Sequence, residues 1–227
     1  MTRNTLLWYC SDNGGLRRLG STGGRAVKGS IYDGGLLVPA FLEWPARLSK
    51  PQATSIRCNT CDIYPTLMEI AAAPLPVGLP LDGISLVPLI EGRQEQRQRP
   101  MGFWAFPKGG RGVSSVRLMN ALLEAQRSGG DLDPNEGSLQ AAVLPEVKYR
   151  VDDFPGHAAW LSGDWKLHRI AKPSREEQWE LYNLERDPME EQNLADSEQE
   201  RVAAMRGALE SWQESVLRSL NGEDYGG

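Results

Sequence analysis

The 227 residues carry 25 Lys and Arg against 30 Asp and Glu, a formal charge of −5, which is neither the basic excess of a nucleic-acid binder nor a polyelectrolyte. With 40% hydrophobic residues, 24 glycines and 15 prolines, the composition suits a loop-rich globular protein and excludes collagen-like, coiled-coil and disordered classes. No apolar run approaches the roughly 20 residues of a membrane helix, and the apolar stretch in the opening MTRNTLLWYC is too short for a signal peptide.

Thr5 to Cys10 (TLLWYC) is apolar on both faces, which predicts a strand inside a sheet covered on each side. A buried strand so close to Met1 implies that further sequence upstream completes the sheet. Ser11 to Gly35 holds eight glycines, a long loop whose backbone can approach a ligand or another segment closely. Leu36 to Trp44 is strand-like, with Pro39 making part of it an edge or bend. Asp62 is placed to cap a helix over Ile63 to Ala73. Pro65 is tolerated in its first turn, Ile63, Leu67 and Ile70 share a face, and Pro74 stops it. A short helical segment follows at Ser85 to Ile90. Glu91 to Pro100 is polar throughout and divides the chain into residues 1–95 and 96–227.

In the second part, Met101 to Phe106 reads as a strand, and Ser114 to Arg127 as an amphipathic helix with Val116, Met119 and Leu123 in register. Ser128 to Gly137 reads as a loop. His157 to Leu161 and Trp165 to Ile170 flank a three-residue turn of Ser162, Gly163 and Asp164, and Trp179 to Leu184 can pair beside them. Ser197 and Glu200 form a capping box for a terminal helix whose apolar stripe is Val202, Met205, Leu209, Trp212 and Val216. These elements predict a small antiparallel sheet crossed by a helix.

Asp12 and Asn13 follow the first strand directly, at a carboxyl end, where open α/β sheets place their ligands. A carboxylate beside an amide oxygen suits a hard cation such as Ca²⁺, with Gly14 and Gly15 leaving room; the same Asn-Gly pair is equally a hairpin turn signal. Lys28 lies among glycines but precedes Gly29, so the segment is not a Walker motif. It reads as a point charge for an anionic substrate or as a solvated loop lysine. Cys10, Cys58 and Cys61 are too few for a disulfide scaffold. The lone Cys58/Cys61 pair reads as a redox or metal motif or as two small apolar residues before the helix.

Taken in order, SDNGG, KGSIYDGGLLVPAFLEWP, DIYPTLMEIA, PLDGISLVPLI, GDWKLHRI and ELYNLERDPMEEQNLAD resemble the carboxyl-terminal half of the sulfatase family over most of residues 4 to 196. The resemblance implies an α/β fold, a partial alkaline-phosphatase-like sheet core followed by a small antiparallel α+β subdomain. It implies hydrolysis of a sulfate ester of a small molecule or polysaccharide by a formylglycine and a divalent cation, usually Ca²⁺. Asp12 and Asn13 match the family's second pair of metal ligands, and Lys28 the lysine that contacts sulfate. Two positions depart from the pattern: the family usually has Glu at Asp33 and Arg at Leu37.

The formylglycine signature, the first pair of aspartate ligands and the catalytic histidines belong upstream of these blocks in the family. Ala171 to Arg175 (AKPSR) echoes the signature by chance, since Ala171 cannot become an aldehyde. His157 and His168 fall on strands of the second part, as core or surface residues, with His157 in a position to face a cleft. The expectation is therefore a sulfatase fragment, inactive without a missing amino-terminal half. The alternatives are a non-catalytic anion-binding or regulatory protein and a phosphoesterase relative. The family is often exported, but location is not legible here.

Overall fold

The computed structural model of the chain describes residues 4–16, 23–107, 115–130, 148–171, 174 and 176–225. Parts of the glycine loop (17–22), Ser114, the expected loop beyond residue 130, and Lys172, Pro173 and Arg175 of the AKPSR echo lie outside the described residues.

β1 (Leu7–Cys10) pairs antiparallel with β2 (Ala40–Glu43), Trp8 opposite Leu42 and Tyr9 opposite Phe41. Between them, Asp33–Leu36 form a single helical turn, α1. It takes up the first residue of the run expected as a strand, so that the strand begins only after Pro39. β1 differs from the expectation of a strand covered on both faces. Leu7, Tyr9 and Phe41 are exposed, with the Tyr9 and Phe41 rings stacked at 5.0 Å, because the described residues supply neither a second neighbouring strand nor a covering layer.

The helix expected over Ile63 to Ala73 starts at Ile63 as expected and ends earlier, at Ile70. A 3₁₀ turn (Thr60–Asp62) leads into α2 (Ile63–Ile70), and Asn59 rather than Asp62 is the capping residue. The Asn59 side chain accepts from the Cys61 N–H while Asp62 accepts from the Asn59 N–H, a reciprocal box. The Asp62 carboxylate, fully buried, also accepts from the Ile84 N–H and from both Arg97 terminal nitrogens at 2.7 and 2.9 Å. Arg97 lies in the polar 91–100 stretch, so that stretch is anchored back onto α2 just past α3 (Val87–Ile90).

The second sheet is antiparallel with the order β3 (Met101–Ala105), β4 (His157–Ser162), β5 (Trp165–Ala171), β6 (Glu177–Asn183). Ser162 pairs with Trp165, so the β4–β5 connection is the two-residue loop Gly163–Asp164 rather than three residues, with Gly163 at φ 58° as a tight hairpin requires. Between β3 and β4 comes α4 (Ser115–Ser128); Met119 and Leu123 of the expected stripe are exposed rather than buried.

The long α5 (Gln199–Leu220) crosses one face of this sheet. Its expected capping box does not form: Glu198 is the flanking residue, and the Ser197 hydroxyl donates to the Leu194 carbonyl instead. The buried line on α5 is Met205, Leu209, Gln213 and Leu217, which moves the stripe's centre away from Trp212 and Val216. Trp212 instead lies flat over Gly102, where any side chain would run into its ring, and donates to Asp82 at 2.9 Å.

Strand register sorts the sheet's residues by face, because directly paired positions point the same way. Trp160, Leu167, Leu181, Trp165 and Trp179 face α5 with Met205 and Val202. The opposite face presents Met101, Leu161, Lys166, His168, Glu180 and Tyr182. The glycine loop and α1 lie against this second face.

Candidate functional site

Asp12, Asn13 and Lys28 are brought together by backbone rather than by side chains. The Lys28 N–H donates to the Gly15 carbonyl at 2.8 Å, the Gly14 N–H to Gly35 at 3.0 Å, and the Gly34 N–H to Arg25 at 2.8 Å. A methyl group at Gly14, Gly24, Gly34 or Gly35 would strike the backbone of the facing segment, so the glycines are what permits the two loops to interlock. Asn13–Gly14 is not a hairpin turn, since the partner of β1 starts only at Ala40. Asp12 and Lys28 are exposed, and the Asn13 amide donates to Asp12 Oδ1 at 3.0 Å.

Beneath this surface lies a cluster of charges. Lys166, His168 and Glu190 have no exposed surface, and Asp33 has 4%. Lys166 Nζ donates to Asp33 Oδ1 at 2.6 Å and stands 3.1 Å from Glu190 Oε1; the other Asp33 oxygen receives Arg57 at 3.2 Å. Glu190 Oε1 also meets His168 Nε2 at 2.7 Å, and Glu190 Oε2 accepts from the Asp33 N–H at 2.7 Å. His168 Nδ1 faces His157 Nε2 at 2.8 Å. Alongside, the Tyr32 and Tyr182 hydroxyls both donate to Glu180 Oε2, at 2.6 and 2.9 Å, and Arg25 stacks over the Tyr32 ring.

Electrostatics settle the proton positions. Burial opposes ionisation of Glu190, but the His168 hydrogen bond, the Lys166 charge and the Asp33 N–H together hold its carboxyl below the usual range. It is therefore an acceptor only. Burial, reinforced by Lys166 and opposed by Glu190, pushes His168 down; burial and then His168 push His157 down to about 4. Both rings are neutral near pH 7, so His168 Nε2–H donates to Glu190 and His157 Nε2–H donates to His168 Nδ1. Burial and the Glu180 hydrogen bond raise Tyr182 to about 12 and Tyr32 also upward, keeping both as hydroxyl donors.

The oxygens of Asp12 and Asn13 suit part of a hard-cation set, and Ca²⁺ takes roughly six to eight oxygens, so these two alone are an incomplete cage. Among the described residues no group of three His, Cys, Asp or Glu stands ready for a metal ion. Cys58 and Cys61 are free surface thiols. Desolvation of the sulfurs, helped by Asp62 for both and by Asp82 for Cys61, raises their pKa, the opposite of an activated thiolate. The sequence reads His157 and His168 as core or surface strand residues, His157 in a position to face a cleft, and gives Lys166, Glu180 and Glu190 no expectation as site residues. The available signal was the alternation in β5, which sets Lys166 and His168 on the face opposite Leu167.

No family model matches the chain. Arylsulfatase A of Homo sapiens is 35% identical over 200 residues, which covers 86% of this chain and 34% of that protein. Arylsulfatase A of Bos taurus is 29% identical over 199 residues, 85% of this chain and 34% of that protein. This chain thus spans about a third of the length of these curated relatives. The crystal structure of Ps i-CgsB in complex with k-i-k-neocarrahexaose superposes with a TM-score of 0.64 at 22% identity, covering 97% of this chain and 42% of that one. No helix among the described residues is long and apolar enough to cross a membrane.

Proposed function

Because the chain belongs to the sulfatase family, we propose that it is the metal-loop and sulfate-loop portion of a sulfuric ester hydrolase, with residues 1–95 as core and 96–227 as carboxyl-terminal subdomain. Asp12 and Asn13 give oxygens to a divalent cation, Ca²⁺, and Lys28 contacts the sulfate group of a sulfated small molecule or polysaccharide. A cation held by these oxygens would, when bound, supply Lewis-acid stabilisation of sulfate oxygens. Lys28 brings a positive charge to where oxygen charge develops during transfer, and the interlocked loops hold its backbone in place.

The observation that carries this reading is the Lys28 N–H bonded to Gly15, which sets the anion-directed residue against the cation-directed turn. The chain holds no Cys or Ser followed by x-P-S-R. Without that nucleophile the covalent route is eliminated rather than slowed, and the chain by itself is inactive. A missing amino-terminal half is the partner that completes the site. The alternative, a self-contained anion-binding or regulatory protein, requires the β1–β2 sheet to be covered within the chain; the exposure of Leu7, Tyr9 and Phe41 weighs against it.

Chromogenic aryl sulfate tests the proposal. Purified chain with Ca²⁺ is expected to release no product; cation-dependent release that disappears in Lys28→Ala and Asp12→Ala would overturn the inactivity and require another nucleophile.

A further inference from the structure

Glu190 holds a left-handed backbone, φ 54°, which a residue with a side chain adopts at a cost and keeps only where its surroundings enforce it. Its groups reach both ends of the segment 25–33. Its carbonyl accepts from Arg25 Nη1 at 2.9 Å, its Oε2 accepts from the Asp33 N–H at 2.7 Å, and its Oε1 shares Lys166 with the Asp33 carboxylate. Lys28 stands between those two fixed ends, exposed. A second non-glycine residue with positive φ, Ala26 at 63°, lies in the same segment beside Arg25.

A lysine side chain is a flexible four-carbon stem, so its usefulness toward an oxyanion depends on how firmly its backbone is placed. Here that backbone is stapled at both ends by one buried residue. It is also bonded in its middle to Gly15, next to the Asn13–Gly14 turn. We infer that Glu190 is a positioning residue: it fixes Lys28, and through Gly15 the Asp12–Asn13 turn, for a tetrahedral oxyanion such as sulfate. This rests on the reading of Lys28 as the anion-contacting lysine. Glu190 itself touches no substrate. Its left-handed turn points the carbonyl at Arg25 while the carboxylate reaches Asp33, which is a reason for the strained backbone.

The test uses the full chain and two readouts, amide hydrogen exchange and acylation of Lys28 with and without inorganic sulfate. Losing a charge-assisted hydrogen bond corresponds to about tenfold or more in local opening. Glu190→Gln should therefore speed exchange at Gly14, Lys28 and Gly34 by that factor over and above whatever general acceleration the loss of its Lys166 and His168 contacts causes in β4 and β5, and abolish sulfate protection of Lys28. Arg25→Met removes the other attachment, the bond to the Glu190 carbonyl, and because Arg25 is partly exposed it should leave folding intact and give a smaller change at the same amides. Equal acceleration in loop and strands, or unchanged sulfate protection in Glu190→Gln, would overturn the inference. If sulfate fails to protect Lys28 even in the unsubstituted chain, the anion reading falls, and the ratio of loop to strand exchange still decides whether Glu190 holds the loop.

Discussion

The two faces of the four-stranded sheet are built on opposite principles. Toward α5, Leu167, Leu181 and the indoles of Trp160, Trp165 and Trp179 pack on Met205 and Val202; the one strand charge buried on this side among the described residues, Arg169, is paired with Glu177 at its margin, and Arg201 and Arg206 of the helix lie over Trp165 and Trp179. Toward the glycine loop, Lys166, His168, Glu180 and Glu190 are buried as deeply, and each is held by named partners. Apolar packing tolerates small shifts of the covering element. A buried ion pair tolerates none, because its desolvation cost is offset only at hydrogen-bond distance. The face that carries the candidate site is thus the one that specifies position, and the α5 face is the one that supplies cohesion.

The sharpest way to break this contrast is Lys166→Met. It leaves Glu190 buried with only neutral donors and Asp33 with Arg57 alone, and removing one member of a buried pair costs about 3–5 kcal/mol. Urea midpoints should show that loss, and Lys166→Met combined with Glu190→Gln should recover part of it, giving a coupling term in the double-mutant cycle. Additive losses would mean that the two side chains do not interact in solution.

Leu209→Ala probes the other face. Leu209 has no exposed surface and sits in the buried line of α5, so truncation should cost about 2–5 kcal/mol through lost transfer energy and a cavity. The loop face should feel this only through global stability, with Lys28 protected by sulfate as before. A specific loosening of the 25–33 segment would show that α5 also positions the loop.

These faces differ in the same way in how far the sequence foretells them. The α5 face was legible: alternation in β4 to β6 and an apolar stripe at helical spacing identify a sheet and the helix that crosses it. Even there the stripe's centre was misplaced, because Trp212 is drawn aside onto Gly102 and Asp82 while Gln213 takes a buried position with no hydrogen-bond partner among the described residues. The loop face was not legible, since nothing in the strand sequence shows that Lys166 and His168 will be covered by a glycine loop from much earlier in the chain. Glu190 read as one acid among several in DPMEE. Asp12, Asn13 and Lys28 stand out by position, with a turn and a solvated loop lysine as the alternatives, and only the resemblance gives them their expected roles. The expected box at Ser197 failed because Ser197 turns its hydroxyl to Leu194, a local competition that residue types alone do not reveal.

The pH dependence of stability should also come from the loop face. An unfolded imidazole takes up its proton near 6.5, whereas His157 resists until about 4, so the unfolded state binds more protons in that interval. Stability is therefore expected to fall as the pH drops from 6.5 to about 4, with His168 contributing in the same direction. The lowered carboxyl of Glu190 extends the loss below its ordinary value of 4.5. Denaturant midpoints across this range should be less steep in His157→Gln. An unchanged slope would assign the acid sensitivity to other groups.

The smallest effect is expected where neither principle operates, on the open β1–β2 sheet. Tyr9 and Phe41 are 48% and 55% exposed and meet mainly each other, so the double change to serine forfeits one ring stack, about 1 kcal/mol, rather than a core. The same change removes apolar surface from a sheet whose neighbours are not among the described residues, and it should lower self-association in sedimentation velocity. Exchange at Leu6 to Tyr9 sharpens the outcome. Weak protection in a monomer, together with a small stability loss, fits the proposed reading, in which this sheet is covered by residues other than those described. Strong protection with a loss comparable to Leu209→Ala would mean that β1 is already satisfied within this chain, and the self-contained anion-binding reading would then replace the fragment.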